Sequence, residues 1–134
     1  MGQESPLFIG VEHTGIAARD TRALADWYVK VFGLRIVSDN GAQPPAFMLQ
    51  SPDGRMIEIL PATSGAPADY DQFLHGLRHL AWLVADFDRA LAHVRAQGVT
   101  EFFDHRETAD FRLIFFRDPE GNLMHMVWRA RPLG

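Results

Sequence analysis

Residues 52–58, PDGRMIE, and residues 119–125, PEGNLMH, are one phrase written twice. Each runs Pro, an acid, Gly, a polar residue, two apolar residues, then a side chain that can bind a metal. The first copy ends in Glu58 and the second in His125. A recurring phrase calls for a search for a longer repeat. Upstream, HTGIAARDTRALADWYVKVFG begins at His13 and HLAWLVADFDRALAHVRAQG begins at His79. Each has an Asp (Asp20, Asp86), then the letters RAL, then a closing Gly (Gly33, Gly98). The interval from His13 to Glu58 is 45 residues, and from His79 to His125 it is 46. Two copies of one module account for these markers together.

Local physics gives each copy the same elements. Residues 8–18 and 77–84 are short apolar runs bounded by loops, which predicts strands. Asp20 and Asp86 are placed to cap helix N-termini. Leu24, Trp27, Tyr28 and Val31 make one apolar helix face, and Phe87, Ala90, Leu91 and Val94 make the other. Gly33 and Gly98 suit the left-handed position that closes a helix. Residues 34–38 and 101–104 follow as strands. AFMLQ pairs with RMIEIL, and RLIFFR with NLMHMVW, as hairpins turned by SPDG and DPEG. The prediction is one α+β domain over residues 1–134, built of two βαβββ modules forming paired curved sheets around a cleft. Module one covers about 8–60, a Pro/Ala/Gly-rich linker 61–76, and module two about 77–129.

The bulk composition fits and excludes alternatives. The 134 residues carry 47% hydrophobic side chains, enough for a real core. Net charge is -4 with one lysine, Lys30, so clustered positive charge for nucleic acid is lacking. There is no cysteine, which excludes disulfides, thiolate metal sites and cysteine nucleophiles. No apolar run is long enough to span a bilayer, and the first residues lack a signal-peptide pattern. A cytoplasmic protein with a small-molecule partner, and no nucleic-acid or membrane partner, is expected.

Strand alternation sorts the candidates by face. His79 and Ala81 oppose Leu80, Trp82 and Val84. Met56, Glu58 and Leu60 share a face, as do Leu123, His125 and Val127. Tightly closed hairpins would set Phe47 opposite Glu58 and Ile114 opposite His125, with Arg112 on the side of Ile114 and Phe116. His13, Glu58, His79 and His125 thus hold matching places in matching modules and can converge on one divalent ion. Three imidazoles and a carboxylate suit Fe, Mn, Co, Ni or Zn. Arg112 is a candidate anion holder and Phe47 a candidate wall of the substrate pocket. His93 lies off the apolar stripe of its helix and is expected to be solvated.

The paired modules, with SPDGRMIEIL and DPEGNLMHMVW as their closing hairpins, resemble the vicinal oxygen chelate superfamily of glyoxalases, bleomycin resistance proteins and extradiol dioxygenases. The resemblance implies metal ligands on the first, fourth, fifth and eighth strands, here His13, Glu58, His79 and His125. It also implies a homodimer. The family most often has Glu where His125 stands, which leaves Glu58 as the one carboxylate able to move a proton. The expected function is a divalent-metal-dependent isomerase or lyase of glyoxalase type. A Fe(II) ring-cleaving dioxygenase and a non-catalytic antibiotic-binding protein are the alternatives.

Overall fold

The computed structural model describes residues 6–65 and 71–134. The chain folds as β1 (His13–Ala18), α1 (Thr21–Phe32), β2 (Arg35–Asp39), β3 (Phe47–Gln50) and β4 (Met56–Pro61), followed by β5 (Leu80–Leu83), α2 (Phe87–Ala96), β6 (Phe103–Glu107), β7 (Phe111–Arg117) and β8 (Leu123–Arg129). This is the expected βαβββ module, twice, in an α+β fold. Residues 66–70 of the expected linker lie outside the described residues.

The helix boundaries follow from the capping residues. The Asp20 side chain accepts from the Ala23 backbone N–H at 3.0 Å, and Asp86 accepts from Arg89 at 3.1 Å. Each satisfies a donor that the first helical turn leaves without a partner. Gly33, at φ 68°, ends α1 and donates to the Val29 carbonyl. A β-carbon there would favour a different backbone, so glycine sets the stop.

Each module makes its own four-stranded sheet. Sheet A has the order β1-β4-β3-β2 and sheet B the order β5-β8-β7-β6. In both, the first strand runs parallel to the last and lies at the sheet edge. The β3–β4 and β7–β8 hairpins are antiparallel, and their turns are built alike. Residues 51–55 and 118–122 form five-residue loops between the last paired positions, Gln50↔Met56 and Arg117↔Leu123. Gly54 N–H donates to the Ser51 carbonyl, and Gly121 N–H to that of Asp118.

These loops place the strands one residue away from the tight closure expected from sequence. Glu58 pairs with Met48, not Phe47, and His125 pairs with Phe115, not Ile114. Because side chains alternate, a slip of one position changes the face. Phe47 therefore lies on the helix side, in the core and 1% exposed.

The helix-facing sides of both sheets share a single core. Ile16, Ala18, Phe47, Leu49, Ile57 and Ile59 come from sheet A; Ile114, Phe116, Met124 and Met126 come from sheet B. Between them lies α1. Its Leu24, Ala25, Tyr28 and Val31 are buried. Its Phe32 stacks on Trp82 of β5 with centroids 3.9 Å apart and planes 11° apart. A pair of this geometry adds about 0.5–1.5 kcal/mol beyond the area it buries. The Tyr28 hydroxyl donates to Asp118 in the β7–β8 turn at 2.5 Å. His93 of α2 is exposed, as expected, and its Nε2 also hydrogen-bonds to the Val31 carbonyl at 2.8 Å. That carbonyl belongs to the last turn of α1, whose end a ring N–H can satisfy.

Candidate metal centre

The shared core leaves each sheet with one face turned away from it, the open face, and the four candidate ligands lie on these faces. On sheet B the centre of that face, Phe115, Leu123, His125 and Val127, is nonetheless buried. On sheet A, His13 starts β1, and Glu58 lies on β4 opposite Gly15. On sheet B, His79 immediately precedes β5, and His125 lies on β8 opposite Ala81. In each case the later ligand faces the residue two places after the histidine. The two modules thus hold their pairs in the same diagonal arrangement, although the sequence intervals differ by one. The residue opposite the later ligand is small both times. A Cβ added at Gly15 would meet Glu58 Oε1 at 3.7 Å.

The structure brings the four residues together as two pairs. His13 Nε2 lies 3.9 Å from Glu58 Oε1. The rings of His79 and His125 have centroids 4.9 Å apart, and both contact Phe115. Among the described residues, no group of three or more metal-binding side chains comes together within the chain. The helix-side faces meet in one core, so the two open faces turn away from each other. Convergence of all four ligands is not a property of the single chain.

Each pair keeps donor atoms available. His13 Nδ1 bonds the neighbouring Glu12 carboxylate at 2.9 Å, which directs Nε2 toward Glu58. His125 is 7% exposed, and its Nδ1–H donates to the Met126 carbonyl at 3.3 Å. The lone pair is then on Nε2, the form a metal takes. Burial holds the His125 ring below the usual histidine range. The bond to the Met126 carbonyl opposes that shift, and the charges of His79 and Arg129 add to it. A neutral imidazole is the ligating state. By donor chemistry, two imidazole-rich pairs that together carry one carboxylate fit a divalent transition metal.

Arg112 is placed elsewhere. It lies on the helix side of β7, with its guanidinium over the Phe87 ring at 4.3 Å, and it ion-pairs with Asp88 and Glu107, each at 3.0 Å. It ties α2 to sheet B and does not face the histidines. The shared side with Ile114 and Phe116 is as expected; the side itself is the packed one, again because of the five-residue turn. Two residues that sequence reasoning missed, Phe115 and Gly15, sit beside the ligands. Both follow from alternation once the register is right.

Comparison with known proteins agrees with the fold. The family model for the Glyoxalase/Bleomycin resistance protein/Dioxygenase superfamily matches residues 10–126. No match was found among curated proteins. A glyoxalase/dioxygenase from Nostoc punctiforme superposes with a TM-score of 0.77 at 19% identity, over 97% of this chain and 100% of its own. A glyoxalase family protein from Enterococcus faecalis gives 0.74 at 24% identity, over 91% and 99%. A mutant of the fosfomycin resistance protein FosX from Listeria monocytogenes, complexed with Mn(II) and a dihydroxypropylphosphonic acid, gives 0.73 at 18% identity, over 95% and 94%. These likenesses are of fold. With the family model matching most of its length, the chain belongs to the glyoxalase, bleomycin resistance protein and dioxygenase superfamily.

Proposed function

We propose that this protein is a divalent-metal-dependent enzyme of glyoxalase type that acts on a small molecule with two adjacent oxygens. It works as a homodimer in which His13 and Glu58 of one chain meet His79 and His125 of the other. The observation that carries this reading is the matched diagonal geometry of the two pairs, each on an open face and each holding half of a ligand set. The edges support the pairing. β1 and β5 end their sheets without a neighbour on one side. Val11 ahead of β1 is 71% exposed, and Leu83 on β5 is 77% exposed. An unpaired strand edge with apolar side chains is a surface that another strand covers.

A divalent cation bound by the four residues supplies Lewis-acid polarisation of the substrate oxygens. The chain's own residues do the rest. Glu58 is the one carboxylate of the set. Its Oε1 faces His13, while its Oε2 has no hydrogen bond among the described residues and is the oxygen that takes and returns a proton. Gly15 and Ala81 leave open the space over Glu58 and His125. Phe115 packs against both histidines of module two and keeps water from that side of the site.

Complementation tests the pairing and the centre together. A chain with His13→Ala and Glu58→Gln, and a second with His79→Ala and His125→Ala, each lose metal by elemental analysis. Co-folded, they regain metal in roughly a quarter of the sites, because half of the dimers are mixed and each mixed dimer has one intact site. Metal at one equivalent in the wild type with no recovery in the mixture sinks the shared site. No metal in the wild type after reconstitution sinks the metalloenzyme and leaves a binding protein. Tight Fe(II) with oxygen consumption on a catechol identifies a dioxygenase.

A further inference from the structure

The open face of sheet B continues past the histidines. Alternation along β8 carries it from His125 through Val127 to Arg129, which ends the ladder opposite Phe111. Arg129 is half-buried. Among the described residues it has no ion pair, hydrogen bond or ring partner. Phe111 lies opposite it, and Val127 with its partners Leu83 and Leu113 comes next along that face, all apolar. A partly desolvated guanidinium without a carboxylate is unfavourable unless a ligand supplies the anion.

Charge across the whole face points the same way. Register puts Arg106, Arg117 and Arg129 on the open side of sheet B, where Asp104 pairs with Arg106. The acids near Arg112, Asp88 and Glu107, belong to the opposite side. In a chain of net charge -4, the face that carries the histidines thus also carries three arginines. Arg117 already donates to the Gly121 carbonyl and lies over the Phe103 ring.

We propose that Arg129 is an anion-binding subsite of the cleft and that the substrate carries a carboxylate or phosphate group away from its two chelating oxygens. This rests on the reading of His79 and His125 as half of a metal centre. Roughly 13 Å of strand separate the Cα atoms of His125 and Arg129. A guanidinium reaching back along the face leaves room for a substrate several bonds long. It matches either oxyanion with a forked pair of hydrogen bonds.

Calorimetric titration of the metal-loaded protein tests this with matched probes. 2-Hydroxyadipate against 2-hydroxyhexanoate reads a distal carboxylate. 3-Phosphoglycerate against glycerate reads a distal phosphate. Wild type is expected to prefer the charged member of one pair by roughly ten- to a hundred-fold, the size of a hydrogen bond between charged groups. Arg129→Gln removes that preference and leaves the uncharged probe within about two-fold, while Arg129→Lys retains part of it. Equal binding of charged and uncharged probes by wild type overturns the proposal, as does a preference that survives in Arg129→Gln. A variant that dissociates the dimer while keeping the preference also overturns it and places Arg129 in the contact between chains. Repeating the titration with chelator separates the two readings. A preference that persists in protein found to hold no metal supports the anion subsite and removes the metal centre.

Discussion

Tyr28→Phe isolates one atom that joins the two modules. Tyr28 is 0% exposed, and its hydroxyl donates at 2.5 Å to Oδ2 of Asp118, itself 4% exposed. Asp118 also accepts from Asn122 Nδ2 and from the backbone N–H groups of Glu120 and Asn122, each at 2.9 Å. Removing the hydroxyl keeps the ring, so no sizeable cavity opens. What is lost is one charge-assisted hydrogen bond, and the carboxylate is left buried with three donors. A bond to a charged group contributes about 1.5–3 kcal/mol, which sets the expected loss. Urea unfolding at fixed protomer concentration measures it, since a dimer's midpoint moves with concentration. The double variant with Asp118→Asn should lose less than the sum of the single losses, because both remove the same bond. A Tyr28→Phe loss below about 0.5 kcal/mol, or simple additivity, would show that the modules do not depend on this contact.

Three further outcomes follow from the same geometry. Burial raises the Asp118 carboxyl above the usual aspartate range, against its hydrogen bonds from Tyr28 and Asn122. A folded pKa above the unfolded one gives stability that is complete below the unfolded pKa and is lost as pH rises through the folded value; unfolding curves of wild type should show that decline, and Asp118→Asn should flatten it. Arg112→Ala should lower the melting temperature by freeing α2 from β7 while leaving metal content unchanged; a loss of metal by elemental analysis would return Arg112 to the site. Gly15→Ala should be silent, because its Cβ meets Glu58 and Leu60 at ordinary contact distances of 3.7 and 3.8 Å. Gly15→Leu should keep the fold by circular dichroism yet reduce metal uptake, and full uptake would show that the space over Glu58 is not used.

Periodicity and capping made the two modules legible, because both are local. The stripe of Leu24, Tyr28 and Val31, the caps at Asp20 and Asp86, and the stop at Gly33 are visible in single turns of chain and recur in the structure. Hairpin register was not legible, and it failed the same way twice. The expected tight turns are five-residue loops in both modules, so Phe47 and Ile114 exchanged faces with Met48 and Phe115. Ligand faces escaped the error, since the assignment of Glu58 and His125 rested on alternation within their own strands. His93 is exposed as its place off the apolar stripe predicts, but its bond to the Val31 carbonyl was not legible, because that partner lies in the other module. No pattern within α2 could announce it.

The placement of α1 was the harder inference, and it determines how the site is assembled. A helix with one apolar stripe covers one sheet. In α1, Tyr28 and Phe32 extend the apolar surface and reach Trp82 and Phe116 of sheet B, so the helix is packed from both sides. A doubly packed helix lies between the sheets, and the open faces must then turn outward. The four candidate ligands are thereby divided two and two. On the proposed pairing, neither half holds the ion tightly alone, so metal binding and association between chains become one equilibrium. Metal should strengthen the dimer by the same factor that dimer formation strengthens metal binding. Sedimentation at low concentration, with and without chelator, measures the first factor. A dissociation constant unmoved by metal would mean that the ion, where bound, does not bridge the chains.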